Sequence, residues 1–174
     1  MLQIRGAMKG ARYNLIKEKW DIENGEFFTQ ENPTIIMSIA SFVRIQKLAE
    51  EILGSDGAAV IFYEAGKKRG IKWISTWKDE WGLKGSAFIK AIEKFFAELG
   101  WGKFSIDIET YTIKVKNSFI AKGYGKSEVP VCHFLRGYYA GMGEVLTNRA
   151  MDAEEVNGAA CGADHCEFVL KPIE

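Results

Sequence analysis

The sequence lacks an excess of charge of either sign. Its 174 residues include 23 Lys and Arg and 23 Asp and Glu, so the formal net charge is zero. A chain without a cationic field does not gather nucleic-acid phosphates along its surface, which argues against direct nucleic-acid binding. No apolar run approaches the roughly 18 to 20 residues of a membrane span, and the N-terminus lacks the order of a signal peptide. We therefore expect a cytoplasmic protein with no membrane span.

Catalytic signatures are also scarce. The chain has no GxGxxG segment after a strand, no flavin signature and no GxSxG elbow. Only His133 and His165 are available as imidazole bases. These absences favour a binding domain over an enzyme, and no catalytic residue is predicted.

Cysteine is rare and unevenly placed. The chain has three cysteines, and all of them fall in the last 43 residues. A disulfide framework uses an even number of cysteines, so the cluster requires another explanation.

Apolar residues at helical spacing predict three helices in the first part of the chain. The first ends at Gly54, and Ser55 can cap the second. Gly66 and Gly70 make a bend in the second helix plausible, and the third runs from Ser86 to Gly100. The stripes comprise Phe42, Ile45, Leu48, Ala49, Ile52 and Leu53; Ala58, Ile61, Phe62, Ala65, Trp73, Trp77 and Trp81; and Phe88, Ile89, Ile92, Phe95, Phe96 and Leu99.

The period then changes to two, which predicts strands. Residues 104–108 and 111–115 alternate as a hairpin, with Ile108 on its apolar face. A helix introduced by Pro130 ends near Asn148, and a second hairpin joins residues 150–156 to residues 165–170. Several helices packed on a small antiparallel sheet of two hairpins define an α+β fold.

The second hairpin carries groups that can bind metal. Cys166 shares a strand face with two apolar residues, so it points inward. Glu155 likewise lies on the apolar face of its strand, where a carboxylate needs a partner. Cys161 lies in the joining turn, and Cys132 lies in the first turn of the preceding helix. These four side chains predict a tetrahedral zinc site, and a site with four protein ligands is structural.

Other interpretations of these residues stay open. Free cysteines are commonly buried as small hydrophobes, and a shift of one residue in register would turn Glu155 to solvent. His165 is a further possible ligand, although it alternates away from Cys166.

Aromatic residues are abundant, and most of them build a core. One group comes from elements that can surround a cavity for a flat aromatic or polycyclic ligand. The basic run from Glu64 to Gly70 can receive an anionic group at the mouth, or simply form a solvated helical turn. The predicted ligand-contacting residues are Phe62, Trp73, Trp77, Tyr111, Phe134, Tyr138 and Tyr139.

Three segments resemble the 4-vinyl reductase domains, which also serve as sensory modules of aromatic-responsive bacterial activators. They are DGAAVIFYEAGKKRGI at residues 56–71, VCHFLRGYYAGMGEVL at residues 131–146 and EEVNGAACGADHCEFVL at residues 154–170. The resemblance covers roughly residues 33 to 172. It implies an α+β domain, distantly related to vesicle transport-particle subunits, that is usually dimeric and has zinc beside an apolar ligand chamber.

The resemblance assigns the family's first cysteine to Cys132, its acidic ligand to Glu155 and its last cysteine to Cys166. The family's middle cysteine usually follows the acidic ligand by three residues, where this chain has Gly158. Cys161 lies in the same turn and can substitute if the turn folds back.

These observations predict an N-terminal extension or dimer arm over residues 1–32 and a ligand-binding domain over residues 33–174. The function we expect is binding or sensing of a small hydrophobic, aromatic or tetrapyrrole-like molecule by a homodimer with structural zinc. The alternatives are a reductase acting on a vinyl-bearing tetrapyrrole, which the family name suggests, and a scaffold for a protein complex.

Overall fold

The computed structural model describes residues 18–29 and 32–173. The chain divides into two units between Ile36 and Met37. Much of the predicted N-terminal extension, residues 1–17 and 30–31, lies outside the described residues.

The first unit contains a small antiparallel sheet, which the sequence patterns did not predict. Its strands are β1 (Glu18–Asp21), β2 (Glu26–Thr29) and β3 (Asn32–Pro33), in the order β1-β2-β3. The Asp21 carboxylate accepts hydrogen bonds from the backbone and side-chain amides of Asn24 at 3.1 and 3.0 Å, which stabilises the turn between β1 and β2.

The second unit begins with the long helix α1 (Ile39–Glu80). The Ser38 hydroxyl caps its first turn by accepting the backbone N–H of Ser41 at 3.1 Å. Gly54, with φ 76° and ψ 162°, is the residue inside α1 with non-helical torsion angles, so the predicted break is confirmed. Within the described parts of the chain, no helix combines the length and apolar character that crossing a membrane requires.

Helix α2 (Gly85–Glu98) follows, and Gly100 ends this region with φ 74°, as predicted. Strands β4 (Lys103–Asp107) and β5 (Thr112–Lys116) then form the first predicted hairpin. The placement of Ile108 on the apolar face is wrong. Ile108 lies exposed in the turn, because the Asp107 carboxylate accepts the backbone N–H groups of the next residues and ends the strand.

The last part of the chain contains two helices and the second hairpin. Helix α3 (Phe119–Tyr124) is six residues long and was not predicted. Helix α4 (His133–Thr147) precedes β6 (Met151–Asn157), and a short 3-10 turn leads into β7 (Cys166–Pro172). Asn148 ends α4 in a left-handed conformation, as expected for a C-terminal cap.

One four-stranded antiparallel sheet joins the two hairpins, in the order β4-β5-β7-β6. Strands β5 and β7 make the junction, where Val115 pairs with Cys166. The α+β prediction is therefore confirmed, and the pairing across the hairpins is what places Cys166 in the middle of the sheet.

Helices α1 and α4 touch through their backbones. A Cβ atom on Gly66 would lie 2.1 Å from the carbonyl oxygen of Phe134, and one on Gly70 would lie 2.3 Å from that of Tyr138. These distances are far below van der Waals contact, so the glycines permit close helix packing. The bend predicted at Gly66 and Gly70 is wrong, because both glycines serve this contact within a regular helix.

Candidate metal centre and ligand cavity

Three side chains predicted as metal ligands converge behind the sheet. Cys132 is the N-cap residue of α4, Glu155 lies near the end of β6 and Cys166 opens β7. One ligand atom from each lies within 4.8 Å of the other two, and all three residues are buried. We call these residues the thiol–carboxylate cluster.

The cluster leaves one oxygen without a protein partner. The backbone N–H of Cys132 donates to Oε2 of Glu155 at 2.9 Å, whereas Oε1 is buried without a hydrogen bond among the described residues. Burial raises the pKa of the Glu155 carboxyl group. The hydrogen bond to Cys166, together with burial and the charge of Glu155, raises the pKa of the Cys132 thiol. The site therefore concentrates groups whose anionic forms need a positive charge.

The donor set fits a zinc ion. The sulfur atoms of Cys132 and Cys166 lie 3.7 Å apart, which is too far for a disulfide, whose sulfurs are about 2.0 Å apart. Two sulfurs bound at about 2.3 Å to a tetrahedral zinc would lie roughly 3.8 Å apart. The free oxygen of Glu155 supplies a third donor. The spacing and chemistry of the three groups thus suit zinc without a change of backbone.

Backbone and hydroxyl groups support the two buried sulfurs. The N–H of Ala159 donates to Sγ of Cys166 at 3.4 Å, and the Ser118 hydroxyl lies 3.5 Å from Sγ of Cys132. Ser118 is also the N-cap residue of α3. The unpredicted helix thus holds a hydroxyl against the cluster.

Cys161 stands apart from the other predicted ligands. Its thiol is exposed, and it does not belong to the group of mutually close ligand atoms. Its sulfur nevertheless lies 3.1 Å from the point that a Cβ of Gly158 would occupy, and Oε1 of Glu155 lies 3.5 Å from the same point. The turn therefore holds the Cys161 sulfur next to the place where the related domains carry their middle cysteine.

His165 lies outside the cluster. Its Nδ1 contacts the Asp164 carboxylate, and its Nε2 lies 3.6 Å from a carboxylate oxygen of Glu167. The structure thus places this imidazole among acidic side chains beside the turn, away from the three converging ligands.

A cavity of about 700 Å³ opens at the opposite ends of α4 and β7 from the cluster. Its walls come from the end of α1, the α1–α2 connection, α2, the β4–β5 hairpin, the C-terminal half of α4 and β7. The apolar lining residues are Leu83, Phe88, Ile89, Ile106, Ile108, Tyr111, Ile113, Met142, Leu146 and Leu170.

Of the predicted ligand-contacting residues, Tyr111 lines this cavity. Trp73 and Tyr138 instead pack in an aromatic core, with ring centroids 6.2 Å apart. Tyr139 packs against Phe168 at 4.8 Å, beside the cluster. The remaining predicted residues also belong to aromatic packing, and they are Phe62, Trp77 and Phe134.

The basic run at Glu64–Gly70 does not reach the cavity. The ammonium group of Lys67 forms an ion pair with Glu144 at 2.8 Å, and the guanidinium group of Arg69 lies over the Trp73 ring at 3.9 Å. The charged residues that do line the cavity are Lys78, Asp79, Lys84, Asp107 and Arg149. Sequence reasoning missed the α1–α2 connection, although Gly82 and Gly85 mark it as a turn.

Comparison with known proteins supports the sequence resemblance. Residues 111–172 match the family model of the 4-vinyl reductase domain, and this segment holds all three clustered ligands. The predicted resemblance to these domains is therefore confirmed. No protein with a curated function matches the chain.

Several solved structures share the fold. The phenol-responsive sensory domain of the transcription activator PoxR, solved with phenol, is 19% identical with a TM-score of 0.74, covering 89% of this chain and 84% of that chain. A vinyl-4-reductase family protein from Methanocaldococcus jannaschii is 21% identical with a TM-score of 0.59, covering 81% and 85%. At these identities the likeness shows the fold alone.

A trafficking protein particle complex subunit 3 from Naegleria fowleri, covalently bound to palmitic acid, is 12% identical. Its TM-score is 0.48, and the alignment covers 78% of this chain and 95% of that chain.

Proposed function

We propose that this chain is a small-molecule binding or sensing domain that takes a hydrophobic or aromatic ligand in the cavity and contains a structural zinc. The observation that carries the proposal is the cavity of about 700 Å³ built on the same helix and strand as the thiol–carboxylate cluster. Its size falls in the range of ordinary ligand pockets, and its walls are largely apolar. The fold shared with a phenol-responsive sensory domain supports this function.

Zinc would be held by Cys132, Glu155 and Cys166, with Cys161 completing the site after a small movement of its turn. A closed set of four protein ligands leaves no place for an activated water, so the metal would contribute to folding alone. It would tie the start of α4 to β6 and β7. We further propose a cytoplasmic location, where the thiols stay reduced.

We also propose that the domain forms a homodimer through α1. Ile45, Leu48 and Ile52 are exposed and lie on one face of the helix. Arg44 and Glu51 lie beside that face, toward its two ends. In an antiparallel pair that crosses near Leu48, each Ile45 would lie near the other copy's Ile52, and each Arg44 near the other copy's Glu51. This self-complementary pattern favours a second copy as the occupant.

One purified sample tests both the metal and the cavity. Metal content by mass spectrometry should give about one zinc per chain, and Cys132→Ala should lose it along with several kcal/mol of unfolding free energy. Cys161→Ser decides the fourth ligand: a large loss of zinc affinity would assign Cys161, and full retention would leave three protein ligands.

The same sample should bind Nile red, a neutral hydrophobic dye. Leu146→Trp should abolish the dye's fluorescence gain because the larger side chain fills the cavity, while zinc content stays at the wild-type level. Val129→Trp is the matched control, since Val129 is exposed and does not line the cavity. Absence of dye binding to the wild-type protein, together with absence of any co-purified organic molecule, would contradict the proposed function.

A further inference from the structure

The mouth of the cavity carries more positive than negative charge. Lys78, Lys84 and Arg149 contribute three cations, and Asp79 and Asp107 contribute two carboxylates. The position of these groups on one cavity matters because the chain as a whole has no net charge.

One of the two carboxylates is already engaged. An oxygen of Asp107 accepts the backbone N–H groups of Glu109 at 2.9 Å and Thr110 at 3.1 Å, so this side chain is committed to the β4–β5 turn. Its charge still contributes to the local potential. Its capacity to pair with a cation at the mouth is reduced.

The cations, in contrast, keep their charge available. The ammonium group of Lys78 donates to a backbone carbonyl, that of Val145, at 3.5 Å. Within residues 18–29 and 32–173, neither Lys84 nor Arg149 forms an ion pair with an acidic side chain. Arg149 follows the end of α4, and Lys84 precedes the start of α2, so two different elements bring these cations to the cavity.

The interior of the cavity has the opposite character. Phe88, Ile113, Met142 and Leu170 are buried side chains that line it and offer no polar group beyond a thioether. A ligand that satisfies both regions must have an apolar body and an anionic end. A neutral hydrophobic molecule would offer no negative charge to the cations at the mouth.

We infer that the cavity takes an amphipathic organic acid, whose carboxylate binds Arg149 and Lys84 and whose alkyl or aryl body lies against the apolar walls. This inference rests on the proposed function, which it narrows to one ligand class. A guanidinium group matches a carboxylate through two parallel hydrogen bonds, and an ammonium group adds a charge without fixed orientation. The pairs lie at a solvent-accessible mouth, so each adds modestly to an affinity that comes mainly from apolar burial.

The test compares acids with alcohols of the same body. Octanoate and octanol, and naphthoate and naphthol, are titrated against the Nile red complex of the zinc-loaded protein at neutral pH. Each acid should bind roughly tenfold more tightly than its alcohol, since two exposed ion pairs supply about 1.4 kcal/mol together. Raising the salt concentration should weaken binding of the acids and leave the alcohols unchanged.

Two charge-removing variants locate the preference. Arg149→Gln and Lys84→Gln should each weaken binding of the acids about threefold or more and leave the alcohols at their wild-type affinity. Lys90→Gln is the matched control, because Lys90 is an exposed lysine of α2 outside the cavity. All three positions are exposed, so the variants should fold normally.

The outcomes separate the two proposals. Equal affinity for acids and alcohols, or an acid preference that survives both variants, would overturn the organic-acid inference and leave the proposed function standing. Failure of every compound and of Nile red to bind would overturn both.

Discussion

At the scale of single residues, four glycines define how closely two helices approach. Gly66 and Gly70 of α1 face α4, and Gly137 and Gly141 of α4 face α1. A Cβ atom on Gly137 would lie 1.9 Å from the carbonyl oxygen of Tyr63. The obstacle is a helix backbone, which cannot move aside as the tip of a flexible side chain can.

We expect Gly137→Ala to lower the free energy of unfolding by about 3 kcal/mol, the upper end of the usual cost of overpacking. The physical reason is that one added methyl group forces α1 and α4 apart along their whole contact. Urea unfolding followed by circular dichroism measures the change. Lys72→Ala, on the exposed side of α1, serves as control and should stay within about 0.5 kcal/mol; an equal loss in both variants would contradict the steric explanation.

The thiol–carboxylate cluster was predictable residue by residue, and the ligand-contacting set was not. Strand alternation fixes the direction of a side chain, so the sequence alone is enough to place Cys166 and Glu155 inward. An aromatic stripe at helical spacing only marks a buried face. Whether Trp73 or Tyr138 meets a ligand or another ring depends on distances between elements, and in this chain both meet other rings.

At the scale of elements, α1 shows two different uses of glycine within one helix. Gly54 has φ 76° and ψ 162°, a backbone conformation that is open almost only to glycine, yet a Cβ there would meet no atom within 4 Å. Gly66 has ordinary helical torsions and no room for a Cβ. The sequence predicted the break at Gly54 because an apolar stripe ended there. It wrongly predicted a bend at Gly66 because the partner helix is remote in sequence.

Gly54→Ala should therefore destabilise the protein through its backbone alone, by about 1–3 kcal/mol. Chemical denaturation would measure the loss, and the zinc content should be unchanged because the cluster lies on other elements. Glu51→Ala, on the exposed surface of the same helix, is the control. A stability equal to that of the wild type would show that the helix can pass through residue 54 without a break.

Short elements escaped prediction for a related reason. Helix α3 spans only six residues, too few for a helical period to stand out from the flanking sequence. The small sheet of β1, β2 and β3 consists of strands with four or fewer residues. Elements of this length are determined by capping groups and by neighbours, as Ser118 shows at the start of α3.

At the scale of the whole molecule, the α+β class and both hairpins of the second unit followed from periodicity. The joining of the hairpins did not, since strand pairing between β5 and β7 links residues about fifty positions apart. That pairing makes one sheet out of two hairpins. It also brings the first hairpin to the cavity wall, through Ile106 and Ile113.

The proposed homodimer makes a prediction at this scale. Ile52→Asp should convert a dimer to a monomer in light scattering after size-exclusion chromatography, because it buries a charge in the apolar face. Val129→Asp, an exposed apolar position outside α1, should leave the dimer intact.

The charge pattern of α1 gives a second, independent test of the same interface. Arg44→Glu should weaken the dimer by placing like charges opposite each other, and adding Glu51→Arg in the same chain should restore it. A wild-type protein that is monomeric at high concentration would contradict the proposal.

Strand β7 carries Cys166 and Leu170 on one face, the first in the thiol–carboxylate cluster and the second in the cavity wall. Helix α4 makes the same connection from Cys132 to Met142. Two sites that share both of their supports cannot be occupied with full independence. With zinc in the cluster as proposed, any change that the metal makes in ligand affinity must be matched by an equal change that the ligand makes in metal affinity. Cellular metal supply would then act as a second input to whatever this domain detects.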